Sequence, residues 1–230
     1  MISVCMATYN GAKFIGPQIK SILAQLGNDD ELIISDDSST DLTLEIIKAF
    51  DDSRIKIYIG QYHNPTLNFE NALRKARGEY IFLSDQDDIW LDNKVQVVMG
   101  YLNNYDLVAH NCLFVDEKGG LIGRMLFNIN YDKRGFIRNL IHNNYCGCCM
   151  AFNRKLLLRS LPFPSGIMHD VWIGLLAELF FKPMIIDDQL ILHRLHINNA
   201  SSTGFRSNMS YIHRIKYRLR ILIELIRRLR

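Results

Sequence analysis

What this chain of 230 residues lacks narrows it first. No apolar stretch approaches the roughly 18 residues a membrane-spanning helix needs, and Met1-Ile2-Ser3-Val4 lacks the basic start of a signal peptide, so a cytoplasmic location is expected. Neither Gly-x-Gly-x-x-Gly nor Gly-x-x-x-x-Gly-Lys-Ser/Thr occurs, which removes the usual glycine cradles for dinucleotides and nucleoside triphosphates. A disulfide framework is absent as well: the five cysteines are odd in number, and Cys146, Cys148 and Cys149 crowd one segment. Cys146 and Cys149 have C-x-x-C spacing, but His142 and Cys112 make a poor second pair for zinc, so buried thiols are expected. Internal repeats and low-complexity tracts are also missing.

What is present is an ordinary globular composition, 48% hydrophobic and 22% charged, which excludes disorder. The net charge of +3 hides an asymmetry: residues 206–230 hold eight Lys+Arg against Glu224 alone, a net +7, leaving −4 on the rest. An acidic body with a basic tail calls for two explanations.

Along the body, short apolar runs alternate with helical periodicity. Ile2 to Ala7, Leu32 to Ser35, Ile55 to Ile59 and Tyr80 to Leu83 read as buried strands. Between them, Ile15/Ile19/Ile22/Leu26, Leu42/Leu44/Ile46/Ile47 and Phe69/Ala72/Leu73/Ala76 recur at helical spacing. The alternation predicts an α/β fold, a mixed and mostly parallel sheet flanked by helices. Further on, helices are expected over Asp92 to Tyr101, Gly135 to Ile141 and Val171 to Phe181. Strands are expected over Leu107 to Val115 and Gly147 to Phe152, with two short ones at Ile185-Ile186 and Leu190 to Leu192. One catalytic unit over residues 1–205, followed by a basic amphipathic helix over 206–230, accounts for the length.

In such sheets ligands sit beyond the carboxyl ends of the strands. Polar clusters stand at those places: Thr8-Tyr9-Asn10, Asp36-Asp37 and Asp85-Gln86-Asp87-Asp88. Carboxylates packed this closely repel by up to about a few kcal/mol unless a cation or donors compensate. A divalent ion such as Mg²⁺ on Asp85 and Asp87 is the economical remedy. Asp92 is expected to cap the following helix, and of Asp36 and Asp37 one caps a helix near Thr40 while the other accepts from a ligand.

Four segments then occur in order: Ser3-Val4-Cys5-Met6-Ala7-Thr8-Tyr9-Asn10, Ser35-Asp36-Asp37-Ser38-Ser39-Thr40-Asp41, Gly78 through Trp90, and His169-Asp170. With them the chain resembles the family-two inverting glycosyltransferases of GT-A fold, particularly the rhamnosyltransferase-like members that build bacterial surface polysaccharides. The resemblance covers residues 1 to about 205 and implies several roles. Thr8, Tyr9, Asp37 and Asp85 bind the nucleotide, Asp37 accepting from a pyrimidine base. Asp85, Asp87 and His196 hold Mn²⁺ or Mg²⁺, with His193 as an alternative ligand, and Asp170 is the catalytic base. Arg194, within Arg194-Leu195-His196-Ile197-Asn198-Asn199, lies near the diphosphate. His169 stands where the family usually has Glu, and Gly147 and Trp90 fall near the acceptor. Trp90 and Trp172 offer faces for sugar stacking, with core packing the competing reading. The implied substrates are a UDP- or dTDP-sugar donor and a glycan or lipid-linked acceptor. The rival readings are a sugar nucleotidyltransferase and a non-catalytic membrane-surface scaffold.

In the tail, Ile212, Ile215, Leu219, Leu222, Ile226 and Leu229 recur every three or four residues. A helix lying on anionic lipid explains stripe and charge together, placing the protein at the inner face of the cell membrane. A homodimer through this helix is the competing reading, and nucleic acid is not expected, since no recognised binding fold accompanies the charge.

Overall fold

The run Ile2–Thr8 forms strand β1, buried on both faces, with Val4 and Met6 turned to one side and Cys5 to the other. Such two-sided burial is why parallel strands read as continuous apolar runs rather than alternating ones. The computed structural model describes residues 1–125, 135–196 and 210–229. Along them follow α1 (Ile15–Leu23), β2 (Glu31–Asp36), α2 (Thr43–Lys48), β3 (Ile55–Ile59), α3 (Pro65–Lys75), β4 (Tyr80–Ser84), β5 (Ile89–Trp90), α4 (Lys94–Leu102), β6 (Leu107–Val115) and β7 (Leu121–Met125). After these come α5 (Phe136–Ile141), a 3-10 turn (Gly147–Cys149), β8 (Met150–Asn153), α6 (Arg154–Ser160), α7 (His169–Phe180), β9 (Pro183–Arg194) and α8 (Tyr211–Leu229).

The strands form one sheet in the order β3-β2-β1-β4-β8-β6-β9-β5, with β7 added against β6. The first four are parallel. β8 joins antiparallel to both β4 and β6, β9 runs parallel to β6, and β5 pairs antiparallel with β9. One apolar cluster packs α1 and α4 on one face, and a second packs α3, α6 and α7 on the other. The expected mixed α/β sheet is therefore present. After β1 the chain winds outward to β2 and β3, then returns to set β4 on the other side of β1. The carboxyl ends of β1 and β4 thus flank the switch in strand order, where a crevice opens.

Some elements differ from expectation. Residues 183–194 form one strand, not two short ones. Between the pairs Ala109↔Ile185 and Asn111↔Gln189 a bulge takes up the extra residues, so exposed Asp187 and Asp188 do not end the ladder. Gly147–Cys149 is a 3-10 turn ahead of β8. Helix α4 starts after Asn93, with no capping side-chain hydrogen bond, so Asp92 is not its N-cap. Helix α6 was not expected; Asn153 starts it by accepting from the Leu156 amide at 3.0 Å.

At the opposite, amino end of the strands, Gly78 lets β4 close against β1. Its amide donates to Ser3 Oγ at 2.7 Å, and a Cβ there would meet Ser3 N at 2.6 Å and Ile2 C at 2.8 Å. The obstructing atoms are backbone and cannot swing aside. Gly78→Ala is expected to cost about 1–3 kcal/mol by overpacking, read as a lower urea midpoint, with KM for the donor unchanged because the site lies at the other end of the sheet.

Helix α8 is docked on the body. Ile221 and Leu225 are buried in the second cluster with Tyr217 beside them. Arg218 donates to the carbonyls of Leu140 and Ile141, and Arg228 to those of Leu161 and Pro162, closing the carboxyl ends of α5 and α6. Both arginines belong to the tail's basic excess, and the structure commits them to intramolecular caps.

Candidate active site

The loops after β1, β2, β3 and β4 and the start of α7 enclose a cavity of about 400 Å³. Its lining includes Thr8, Tyr9, Asp37, Asp85, Asp87, Gly147, His169, Asp170 and His193, so the structure brings together residues far apart in sequence. The loop after β1 is held by Gln86, whose Oε1 accepts from the Tyr9 amide at 3.0 Å while its Nε2 donates to the Tyr9 carbonyl at 3.1 Å. Thr8 is buried, and its hydroxyl donates to Asp36 Oδ2 at 2.9 Å. Tyr9 is 54% exposed and presents its ring at the rim. Asn10, Ser38 and His63 adopt left-handed backbone (φ 48°, 60° and 47°), a costly conformation kept where neighbouring contacts enforce it.

The Asp36-Asp37 pair divides its work differently from the expected cap-plus-ligand arrangement. Asp36 accepts from Thr8 Oγ1 and from the amide and hydroxyl of Ser39, tying two loops together. Asp37 accepts from the amides of Tyr62, His63 and Asn64, while Leu42 stands at the N-cap position of α2. Asp37 remains in the cavity wall, and a carboxylate with its roughly four lone-pair sites keeps acceptor capacity beyond three amides.

Behind the loop after β4, Asp87 Oδ2 lies 2.8 Å from His196 Nε2, across 109 positions of sequence. Phe14 stacks on the His196 ring at 5.0 Å and fixes its plane. Asp85 falls into a different group, with Asp88, Cys148 and His193, whose ligating atoms all lie within 4.8 Å of one another. Burial, then the neighbouring carboxylates of Asp88 and Asp87, pushes the Asp85 carboxyl well above its ordinary range. Burial and Asp88 raise Asp87, against the pull of His196. For His193 burial opposes the charge, but Asp88 Oδ1 at 2.9 Å outweighs it and holds the imidazolium well above the usual histidine range. Asp88 and His193 thus neutralise each other. Asp85 and Asp87 both line the cavity, while His196 stands behind Asp87 outside the lining, so among the described residues the expected metal set of Asp85, Asp87 and His196 is not gathered in one cluster; its oxygen and imidazole donors are the types a divalent cation takes.

Other residues are placed differently. Arg194 does not line the cavity: its Nε donates to the Asp87 carbonyl and its Nη1 to those of Asp116 and Glu117. It braces the acidic loop. Trp90 is 2% exposed, packed on Phe82 with the Lys94 ammonium 4.1 Å from its ring centroid. Trp90 is therefore core and offers no face to a sugar; Trp172, 1% exposed, is core as well. Asn198 and Asn199 lie outside the described residues. The five cysteines are free and buried.

Lys94 was missed. It is wholly buried, donates to the Cys148 carbonyl at 2.9 Å, and burial lowers its ammonium to about 8 against the pull of Cys149, Cys148, Asp88 and Asp85. The available signal was a lysine opening a mostly apolar helix, within ten residues of Asp85, Asp87, Asp88 and Asp92.

At the opposite wall Asp170 occupies the first turn of α7 and accepts from the Val171 amide at 2.7 Å. Burial, then the adjacent Cys146, raises its carboxyl to about 7, while the amides of Val171 and Gly147 restrain the shift. His169 is lowered to about 4 by burial and is neutral at physiological pH; among the described residues neither ring nitrogen has a hydrogen-bond partner. The ring rests on Phe69, centroids 4.3 Å apart, and a Cβ at Gly147 would sit 2.9 Å from its Nε2. Glycine is needed there for His169 to reach its position.

A parallel half-sheet ending in acidic loops, joined to an antiparallel half that carries a carboxylate on a helix start, defines the GT-A class of glycosyltransferases. Residues 3–160 match the model of Glycosyl transferase family 2, and the chain belongs to that family. It is 30% identical over 213 residues to the UDP-Glc:alpha-D-GlcNAc-diphosphoundecaprenol beta-1,3-glucosyltransferase WfgD of Escherichia coli, covering 90% of this chain and 81% of that one. With the dTDP-rhamnosyl transferase RfbG of Shigella flexneri it shares 36% identity over 227 residues, 90% of this chain and 76% of the other. Glucosyl-3-phosphoglycerate synthase from Mycobacterium tuberculosis, solved with Mn²⁺, UDP and phosphoglyceric acid, superposes with a TM-score of 0.60 at 20% identity, over 99% of this chain and 78% of that one. The protein is a glycosyltransferase.

Proposed function

We propose that this enzyme inverts the anomeric centre while moving a hexosyl or rhamnosyl group from a UDP- or dTDP-sugar to a lipid-linked or polysaccharide acceptor. In this reading residues 1–205 are the catalytic unit and 206–230 its basic appendage, which contains helix α8 (Tyr211–Leu229). The observation that carries the reading is one cavity lined by Asp170, a carboxylate raised to about 7, and by half-buried Asp85 and buried Asp87. The names of WfgD and RfbG support the two donor classes and, for WfgD, a diphosphoundecaprenol acceptor.

The acceptor hydroxyl is a poor nucleophile until its proton is removed. Asp170 accepts that proton as the hydroxyl oxygen bonds to the anomeric carbon and the nucleoside diphosphate departs. His169, neutral and unpartnered, accepts from or donates to an acceptor hydroxyl. Thr8, Tyr9 and Asp37 seat the nucleotide, with Asp37 receiving the pyrimidine N–H. Asp85, Asp87 and His196 would hold Mn²⁺ or Mg²⁺, which supplies positive charge for the diphosphate. The orphaned polar atoms of cavity-lining Asn68 (Oδ1), His169 and His193 (Nε2) support a polar ligand here, since buried groups are otherwise satisfied within a fold.

A donor screen with purified protein and an undecaprenyl-diphosphate-linked sugar tests this: turnover of a UDP- or dTDP-sugar is expected, and donor binding that ignores Mn²⁺ refutes the metal-assisted reading. The pH profile is a second check. A protonated Asp170 cannot act as base, so kcat/KM should fall about tenfold per unit as pH drops below about 7 and level off above it. His169 titrates near 4 and adds no limb in that window. A flat profile between pH 5.5 and 8 would remove Asp170 from the role.

A further inference from the structure

Helix α8 meets the body through one face and turns the other outward. At 3.6 residues per turn, Tyr217, Ile221 and Leu225 fall on the docked side with Arg218 and Arg228. On the far side stand Ile212, Ile215, Leu219, Ile223 and Ile226, between 41% and 65% exposed. Isolated apolar residues on a surface are ordinary, but five at intervals of 3, 4, 4 and 3 along 15 positions form a continuous stripe. The expected stripe is thus exposed at its first three members and at Ile226, with Ile223 in place of half-buried Leu222.

One border of the stripe is basic: Lys216, Arg220 and Arg227, all exposed, follow one another around the same side. The single acid of the helix, Glu224, is paired to Arg227 at 2.7 Å. We propose that this outward face of α8 seats the enzyme on an anionic lipid surface, the isoleucines and leucine entering the acyl boundary and the basic border meeting phosphate headgroups. A second copy of the chain would bring like charges together along the seam with no acidic row to answer them, so charge favours lipid. No helix among the described residues is long and apolar enough to cross a membrane, and an interfacial seat needs none.

The helix also touches the cavity. Tyr217 Oη accepts from the Met168 amide at 3.1 Å, and Met168 lines the cavity immediately before His169 and Asp170. The Arg220 guanidinium packs on Gly166, where an added Cβ would come within 2.7 Å of its Nη1. The loop ahead of the catalytic helix is therefore held by the same helix that carries the stripe, which places lipid seating and the acceptor wall in one rigid element.

The test is sedimentation of the full chain with vesicles of phosphatidylcholine alone and of phosphatidylcholine with phosphatidylglycerol. Binding is expected only with the anionic lipid. Changing Lys216 and Arg227 together to Gln, which leaves Arg220 in place on the Gly166 loop, should weaken it about thirtyfold, and Leu219→Glu with Ile223→Glu should abolish it. Both variants alter exposed side chains, so their unfolding midpoints should match the parent. Equal partitioning onto neutral vesicles, binding that survives the glutamates, or a dimer in sedimentation velocity that the glutamates dissolve would overturn the proposal. The measurement uses no donor or acceptor, so its failure is separate from failure of the catalytic reading.

Discussion

Replacing Asp170 by Asn should lower turnover by about two to four orders of magnitude, the usual contribution of a positioned general base, while leaving the Kd for UDP nearly unchanged. The substitution suits the question because Asn keeps an oxygen for the 2.7 Å bond from the Val171 amide, so α7 should start as before. What it removes is the acceptor for the proton. The environment of Asp170 explains why the effect is large. Burial and Cys146 hold its carboxyl at about 7, close to where a base transfers protons most effectively at neutral pH. The measurement pairs single-turnover kinetics with calorimetric UDP binding. Loss of UDP affinity with little change in the chemical step would reassign Asp170 to the donor side.

Asp87→Asn is expected to reduce kcat/KM by about two to four orders of magnitude as well, several kcal/mol of charge stabilisation, but by a different route. Here Mn²⁺-dependent UDP binding should disappear, and His196→Gln should weaken it in the same direction, because the two side chains meet at 2.8 Å. The contrast between variants is the informative part: one loses chemistry with binding kept, the other loses both. If Asp87→Asn retained Mn²⁺-dependent affinity, the cation would have to sit on the neighbouring group of Asp85, Asp88, Cys148 and His193.

The sequence made the parallel half of the sheet legible because its strands are buried on both faces and its helices on one. Ile2 to Ala7 and Tyr80 to Leu83 could hardly be anything else, and the polar clusters after them pointed to the crevice. The antiparallel half was harder. Asp187-Asp188-Gln189 reads locally as a break, and only the bulge against β6 keeps β9 whole. Two residues suffice for β5, too few for any period to register.

The cavity lining was legible at Asp85 and Asp87, acids that follow a buried strand, and at Asp170, an acid at the start of an apolar helix. It was not where the role is set by packing between distant segments. Nothing near His193 in sequence says that Asp88, 105 positions earlier, will hold its charge. The Asp36-Asp37 pair shows the same limit: their order is visible, but which one binds the loop at 62–64 depends on how that loop returns.

The caps that Arg218 and Arg228 place on α5 and α6 have a consequence for biosynthesis. Those helices end at Ile141 and Ser160, yet the guanidinium groups that satisfy the carbonyls there and just beyond leave the ribosome 67 to 78 residues later. Domains form as units while their amino-terminal parts emerge first. The loop at Met168 therefore waits for Tyr217, and the cavity wall ahead of α7 is set only once α8 has been synthesised. A nascent chain can fold its nucleotide-facing half early and still be unable to transfer a sugar until the helix that would touch the membrane has come into place.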